Sequence, residues 1–151
     1  MKTAQSGFNL IEILIVMVIV ALLATLTYPT YQAYIKKTDL HVAHAVLMQN
    51  GQFMERFYQQ KGSFKKTSTS WPELPVIATE KFCIRPNNNA RGAHDGKFTL
   101  KAVAFNSQNE PRVLKIDESL TTFICESSAS SCNNDDAFFK GSDKNCRIYQ
   151  P

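Results

Sequence analysis

Between Lys81 and Lys115 the chain carries seven basic side chains, Lys81, Arg85, Arg91, Lys97, Lys101, Arg112 and Lys115, against two acids, Asp95 and Glu110. From Ile116 to Asp136 the sign reverses, with Asp117, Glu118, Glu126, Asp135 and Asp136 and no base. The overall net charge of +4 hides this division. Clustered cations can hold a polyanion, because each phosphate they neutralise releases condensed counterions, and that release dominates affinity for nucleic acid. Lysines on a sheet also serve solvation and protection against edge pairing, and the charge pattern alone fits that plainer purpose better. The loop from Pro86 to Gly96, with Asn87, Asn88, Asn89, Arg91 and His94, shifts the balance. It is long for a hairpin and concentrates Asn and Arg, which pair bidentately with adenine and guanine edges, although Asn and Gly are also ordinary turn residues. Enzyme chemistry finds no support: no nucleophile stands with a base, no carboxylates pair in a plausible pocket, and no glycine-rich phosphate loop is present. His41 and His44 are three apart, but no carboxylate or cysteine completes a metal site around them, and no cofactor is expected.

The elements that would position these groups are legible from periodicity. Phe82–Arg85, Lys97–Ala104, Arg112–Ile116 and Thr121–Cys125 are short strand-like runs, and Asn106 to Pro111 reads as a hairpin connection. Alternation in the second run puts Lys97, Thr99 and Lys101 on one face and Phe98, Leu100 and Ala102 on the other, so the basic residues are expected to line the solvent side. Before them, Leu40, Ala43, Leu47, Met54 and Phe57, flanked by Val46 and Phe53, mark one apolar helix face, and Gly62 stands where a helix C-cap belongs. Ser63 to Lys81, with Trp71-Pro72-Glu73-Leu74-Pro75, reads as a loop packed onto the domain. A long helix laid across an antiparallel sheet of three or four strands, an α+β fold, buries both apolar faces most simply. Cys83, Cys125, Cys132 and Cys146 match no zinc spacing, and in an exported chain their even number implies two disulfides; three pairings are open.

Glu12 stands at the head of an apolar run extending from Phe8 to Tyr28, about the length that spans a hydrocarbon core. A charge there costs roughly 2.5–3.5 kcal/mol, so Glu12 needs a partner. A cleaved secretory signal fits poorly: the apolar run is too long, and Thr25-Leu26-Thr27-Tyr28-Pro29 is a poor cleavage site. Pro29 is expected to bend the helix, which then resumes. The remaining ~115 residues suffice for one modest core.

The segment Gly7-Phe8-Asn9-Leu10-Ile11-Glu12 resembles the N-terminus of type IV pilins. The resemblance implies a leader, residues 1–7, cut after Gly7 by a prepilin peptidase, and N-methylation of Phe8. A membrane and filament helix, residues 8–37, and a globular head, residues 38–151, would follow. Glu12 would then neutralise the N-terminal ammonium of a neighbouring pilin subunit, selecting register while offsetting two burials. Before assembly such a chain sits in the inner membrane with its N-terminus cytoplasmic; afterwards it belongs to the pilus, in the periplasm and at the cell surface.

Interior stretches carry a closer resemblance, to the minor pilins that act as DNA-uptake receptors in natural transformation. They include Phe53-Met54-Glu55-Arg56-Phe57-Tyr58, Ser68-Thr69-Ser70-Trp71-Pro72, Phe82-Cys83-Ile84-Arg85, Ala90-Arg91-Gly92-Ala93, the run from Lys97 to Ala104, Ser127 to Cys132 and Phe139-Lys140-Gly141. This resemblance implies binding of double-stranded DNA with preference for a short uptake sequence. Arg85, Lys101 and Lys115, with Lys97, would anchor phosphates. Asn87, Asn88, Asn89 and Arg91 in the loop, and Ser128 and Ser130 in the C-terminal region, would engage the duplex. It also implies the pairs Cys83–Cys132 and Cys125–Cys146. A structural pilin or a secretion pseudopilin without specific DNA binding is the alternative.

Overall fold

The computed structural model describes residues 9–150, the side chain of Leu26 excepted. These residues divide into two compact units, one ending at Lys37 and the other beginning at Thr38. A single helix, α1 (Leu10–Lys61), contributes to both, and Pro29 lies inside it without ending it. In the first unit the apolar side chains stand open, Leu10 at 79% and Val20 at 58% exposure. With a window of mean hydropathy 2.8, the helix is long and apolar enough to cross a membrane. The hydroxyls of Thr25 and Thr27 donate to the carbonyls of Leu22, Leu23 and Ala24 one turn back, so neither presents an unsatisfied proton to an apolar surrounding. Glu12, in the first turn, accepts from the Asn9 backbone N–H at 3.1 Å. Gly7 and Phe8 lie outside the described residues.

In the second unit the apolar helix face packs as its spacing predicts. Leu40, Ala43, Leu47 and Met54 are buried, while Phe53 and Phe57 are half-buried at its margin. The stripe also contains Asn50 and Gly51. At Gly51 the helix approaches the sheet so closely that a Cβ would lie 2.8 Å from Leu120 Cδ2 and 3.3 Å from Ile116 Cδ1. The helix ends at Lys61, and Gly62, at φ +70°, returns its N–H to the Tyr58 carbonyl at 2.7 Å.

The sheet is a five-stranded antiparallel meander in sequence order: β1 (Phe82–Pro86), β2 (Thr99–Ala104), β3 (Val113–Asp117), β4 (Thr122–Ser128) and β5 (Asp143–Ile148). One face, carrying Phe82, Ile84, Leu100, Ala102, Ala104, Leu114, Ile116 and Ile124, meets the helix, and each fully buried aliphatic stabilises the fold by about 1.5–3 kcal/mol. β5 exceeds the expected count of strands. Its sequence, Asp143-Lys144-Asn145-Cys146-Arg147-Ile148, has no apolar alternation, and it forms because its backbone pairs with β4 under the Cys125–Cys146 bond. The second disulfide joins Cys83 to Cys132.

The other sheet face is not open. Cys83, Val103, Val113 and Cys125 pack there with Phe139 from the β4–β5 connection, residues 129–142, forming a second apolar cluster. β2, in the middle of the covered region, is buried on both faces, at every position but Thr99.

Candidate nucleic-acid interface

Antiparallel pairing sets Arg85 opposite Lys101 and Lys101 opposite Lys115, so three cations form one row across three adjacent strands. The row lies beneath the β4–β5 connection. Lys101 is fully buried; its ammonium donates to Asp143 Oδ1 at 2.9 Å and to the Ser130 hydroxyl at 3.0 Å. Lys115, 22% exposed, reaches Asp143 Oδ2 at 3.0 Å. The Ser128 hydroxyl donates to Asp143 Oδ1 at 2.5 Å. Arg85 donates to the backbone carbonyls of Asn134, at 2.8 Å, and Cys132, at 3.1 Å, with its guanidinium carbon 5.4 Å from the centre of the Phe139 ring.

The expected solvent face thus fails at Lys101. Alternation correctly places it opposite Leu100 and Ala102, but its face is covered by the β4–β5 connection, residues 129–142, whose polar composition gave no sign of a lid. Ser128 and Ser130, expected to engage the duplex, bond within the same network: Ser128 donates to Asp143 and Ser130 to the Lys140 carbonyl. Electrostatics follow the geometry. Burial would push the Asp143 carboxyl up, but hydrogen bonds from Ser128, Lys101 and Lys115 hold it below its ordinary value. Burial pulls the Lys101 ammonium down by more than Asp143 restores.

The loop between β1 and β2 is the open part of the region. Asn88, Asn89, Arg91 and Lys97 are exposed, while Ala90 is buried and anchors the loop's middle. The Trp71 indole N–H donates to the Asn88 carbonyl at 2.8 Å, and Asn89 Oδ1 accepts from the Arg91 N–H at 3.0 Å. Lys65 donates to the Ala93 carbonyl at 2.8 Å and pairs with Asp95 at 2.7 Å, which fixes the far end. Asn87 is half-buried; its N–H bonds to the Thr99 carbonyl, and its side-chain carbonyl has no hydrogen-bond partner among the described residues. Lys97, 70% exposed, lies 3.9 Å from Glu118. The Phe139 N–H donates to the Pro86 carbonyl at 2.8 Å, so the β4–β5 connection is fastened to the root of this loop. The C-terminal region adds exposed Lys140, Lys144 and Arg147, cations that the charge reading of Lys81 to Lys115 did not reach. Asp143, Asn134, Phe139 and Trp71 were also missed; each works through a partner far away in sequence.

A helix continuous with an N-terminal methylation motif, matched over residues 2–28, and packed on an antiparallel meander defines a type IV pilin. Residues 29–115 match the family described as type IV minor pilin ComP, DNA uptake sequence receptor. The chain belongs to that family. It is 50% identical to the minor DNA-uptake pilin ComP from Neisseria subflava, a solution structure, over 75% of this chain and 97% of that one, with a TM-score of 0.63. To the type IV pilin ComP from Neisseria meningitidis it is 46% identical over 78% of this chain and 99% of that one, with a TM-score of 0.53. The non-core minor pilin PilV from Neisseria meningitidis, at 24% identity over 68% of this chain and 98% of that one and a TM-score of 0.52, shares the fold. No curated protein sequence matches the chain.

Proposed function

We propose that this chain is a minor type IV pilin that receives double-stranded DNA during natural transformation and prefers a short uptake sequence. The family match over residues 29–115 carries the reading. The geometry supports a division of labour in which exposed Arg91 and Lys97, with Lys140, Lys144 and Arg147, meet phosphates, and Asn88 and Asn89 face base edges. Asn87 lies at the root of the same loop. The row of buried Lys101 and half-buried Arg85 and Lys115 is not the contact surface in this reading.

Delivery follows from the N-terminus. Prepilin peptidase would cut after Gly7 and Phe8 would be methylated, with residues 8–37 holding the subunit in the inner membrane until assembly and residues 38–151 forming the head. In the filament Glu12 would exchange its bond to the Asn9 N–H for the ammonium of a neighbouring subunit, a charge-assisted and stronger contact. The partners are then double-stranded DNA and other pilin subunits.

The test is competition binding by the detergent-solubilised full chain. The probes are duplexes selected by the chain from a random pool and scrambled versions of them, across a salt series. A selected duplex that outcompetes its scrambled form at every salt supports a sequence-reading receptor. Equal competition that vanishes at moderate salt identifies a structural pilin with non-specific affinity only.

A further inference from the structure

We infer that Asp143 is a positioning residue for DNA recognition, and that Arg85, Lys101 and Lys115 support binding by holding the β4–β5 connection rather than by touching phosphate. The inference rests on the receptor reading above. Its basis is the direction in which each cation of the row spends its donors. Lys101 has no exposed side-chain surface, and its bonds go to Asp143 and Ser130. Arg85 spends its guanidinium on the carbonyls of Cys132 and Asn134. Lys115 bonds to the second oxygen of Asp143. Asp143, at the start of β5, thus ties β2, β3 and, through Ser128, the end of β4 to one carboxylate.

That clamp sits where both DNA-facing segments are rooted. The connection carries exposed Lys140 and bonds through the Phe139 N–H to Pro86, the residue from which the Asn87–Gly96 loop departs. Phe139 lies under the clamp, 5.8 Å from the Lys101 ammonium and buried in the second apolar cluster. Gly141 shows how closely the connection is folded: at φ +126° a Cβ would come within 2.9 Å of the Ala129 carbonyl carbon. Phe139 and the Cys83–Cys132 bond hold this segment at two points, and the rest of it is mostly polar, with little apolar area to fix its position. A charge network supplies the missing specificity of position, since a connection shifted in register would break the bonds of Lys101 to Ser130 and Asp143 while still covering it.

A phosphate-contact role and a positioning role predict opposite signs at Asp143. Asp143→Asn removes an anion from beneath a DNA-binding surface, which on simple electrostatics strengthens duplex binding. A positioning role predicts weaker binding, by about tenfold for the selected duplex. Lys101→Met is expected to weaken it similarly with an unchanged salt slope, whereas loss of a phosphate contact lowers the slope by about one. The double variant Lys101→Met/Asp143→Leu replaces the pair by apolar groups, leaves the partly exposed Lys115 to water, and is expected to recover affinity to within about threefold.

These measurements use the full chain in detergent, with amide exchange of residues 38–61 and β1–β3 as the check on folding. If the wild-type chain shows no preference for selected duplexes, the receptor reading itself falls. If it does, and Asp143→Asn binds as tightly or more tightly, or Lys101→Met lowers the salt slope by about one, the positioning role alone is overturned. Should Asp143→Asn fail to fold, the slope of Lys101→Met and recovery in the double variant decide the matter in the same terms.

Discussion

Asn50 offers a quantitative test of how the helix fixes the loop that supports the β1–β2 segment. Its side chain is fully buried, with Nδ2 donating to the Val76 carbonyl at 2.7 Å and Oδ1 accepting from the Val76 N–H at 3.3 Å. Asn50→Ala removes both bonds and frees two backbone groups. A lost hydrogen bond costs about 0.5–1.5 kcal/mol, and a buried orphan about 1–3. Val76 is only half-buried and water reaches part of it, and the second bond is long. The expected loss is therefore about 1.5–3 kcal/mol. Trp71, the single tryptophan, sits in the same loop with its indole on Asn88, so its fluorescence reports the region directly. In urea, with the disulfides intact, the unfolding midpoint should fall by about 1 M at constant slope. A shift below about 0.3 M would refute the claim that this carboxamide anchors the loop. Asn50→Asp should be worse still, since it sets a buried charge against the Val76 carbonyl.

Three further outcomes are expected. Gly141→Ala, which forces a side chain into a left-handed conformation against Ala129, should cost about 1–3 kcal/mol in thermal unfolding and deprotect residues 129–142 to amide exchange first; unchanged exchange there would count against the packing described. Because the folded Asp143 carboxyl sits below its unfolded value of about 3.9, its contribution is complete above that pH and is lost as pH falls through the lowered folded value. Thermal stability should therefore decline with acid below about pH 4, and Asp143→Asn should flatten that decline; an identical acid limb in both proteins would contradict the assignment. Arg91→Ala and Lys97→Ala should each reduce the salt slope of duplex binding by about one without altering stability, as titrations at several salt concentrations would show.

Much of the fold was legible because periodicity reports burial. Leu40, Ala43, Leu47 and Met54 lie on the core face for the reason that their spacing matches a helix turn. Asn50 and Gly51 escaped notice because a stripe is read by its apolar members, and these two belong to it through a loop carbonyl and a close helix–sheet approach. β5 was hidden for a similar reason: its stability comes from pairing with β4 and from a disulfide, neither of which writes an alternation into Asp143 to Ile148.

The candidate site divides along the same line. That Arg85, Lys101 and Lys115 belong together follows from strand register. That they face a covering segment does not, because the segment is polar and its clamp, Asp143, lies 42 residues beyond Lys101. A signal was present all the same. Cys83, Val103, Val113 and Cys125 share the sheet face with Lys101, and four such residues on a solvent face would have been costly to leave uncovered. Glu12 was singled out by its cost in an apolar run, and the helix that carries it is long and apolar enough to span a membrane.

Reductive methylation of lysines, read by mass spectrometry with and without the selected duplex, tests the central claim most directly. The account predicts that Lys97 and Lys140 react in the free chain and are protected by the duplex, while Lys101 stays unreactive in both states. Reaction of Lys101 in the free chain, with protection on adding the duplex, would contradict it.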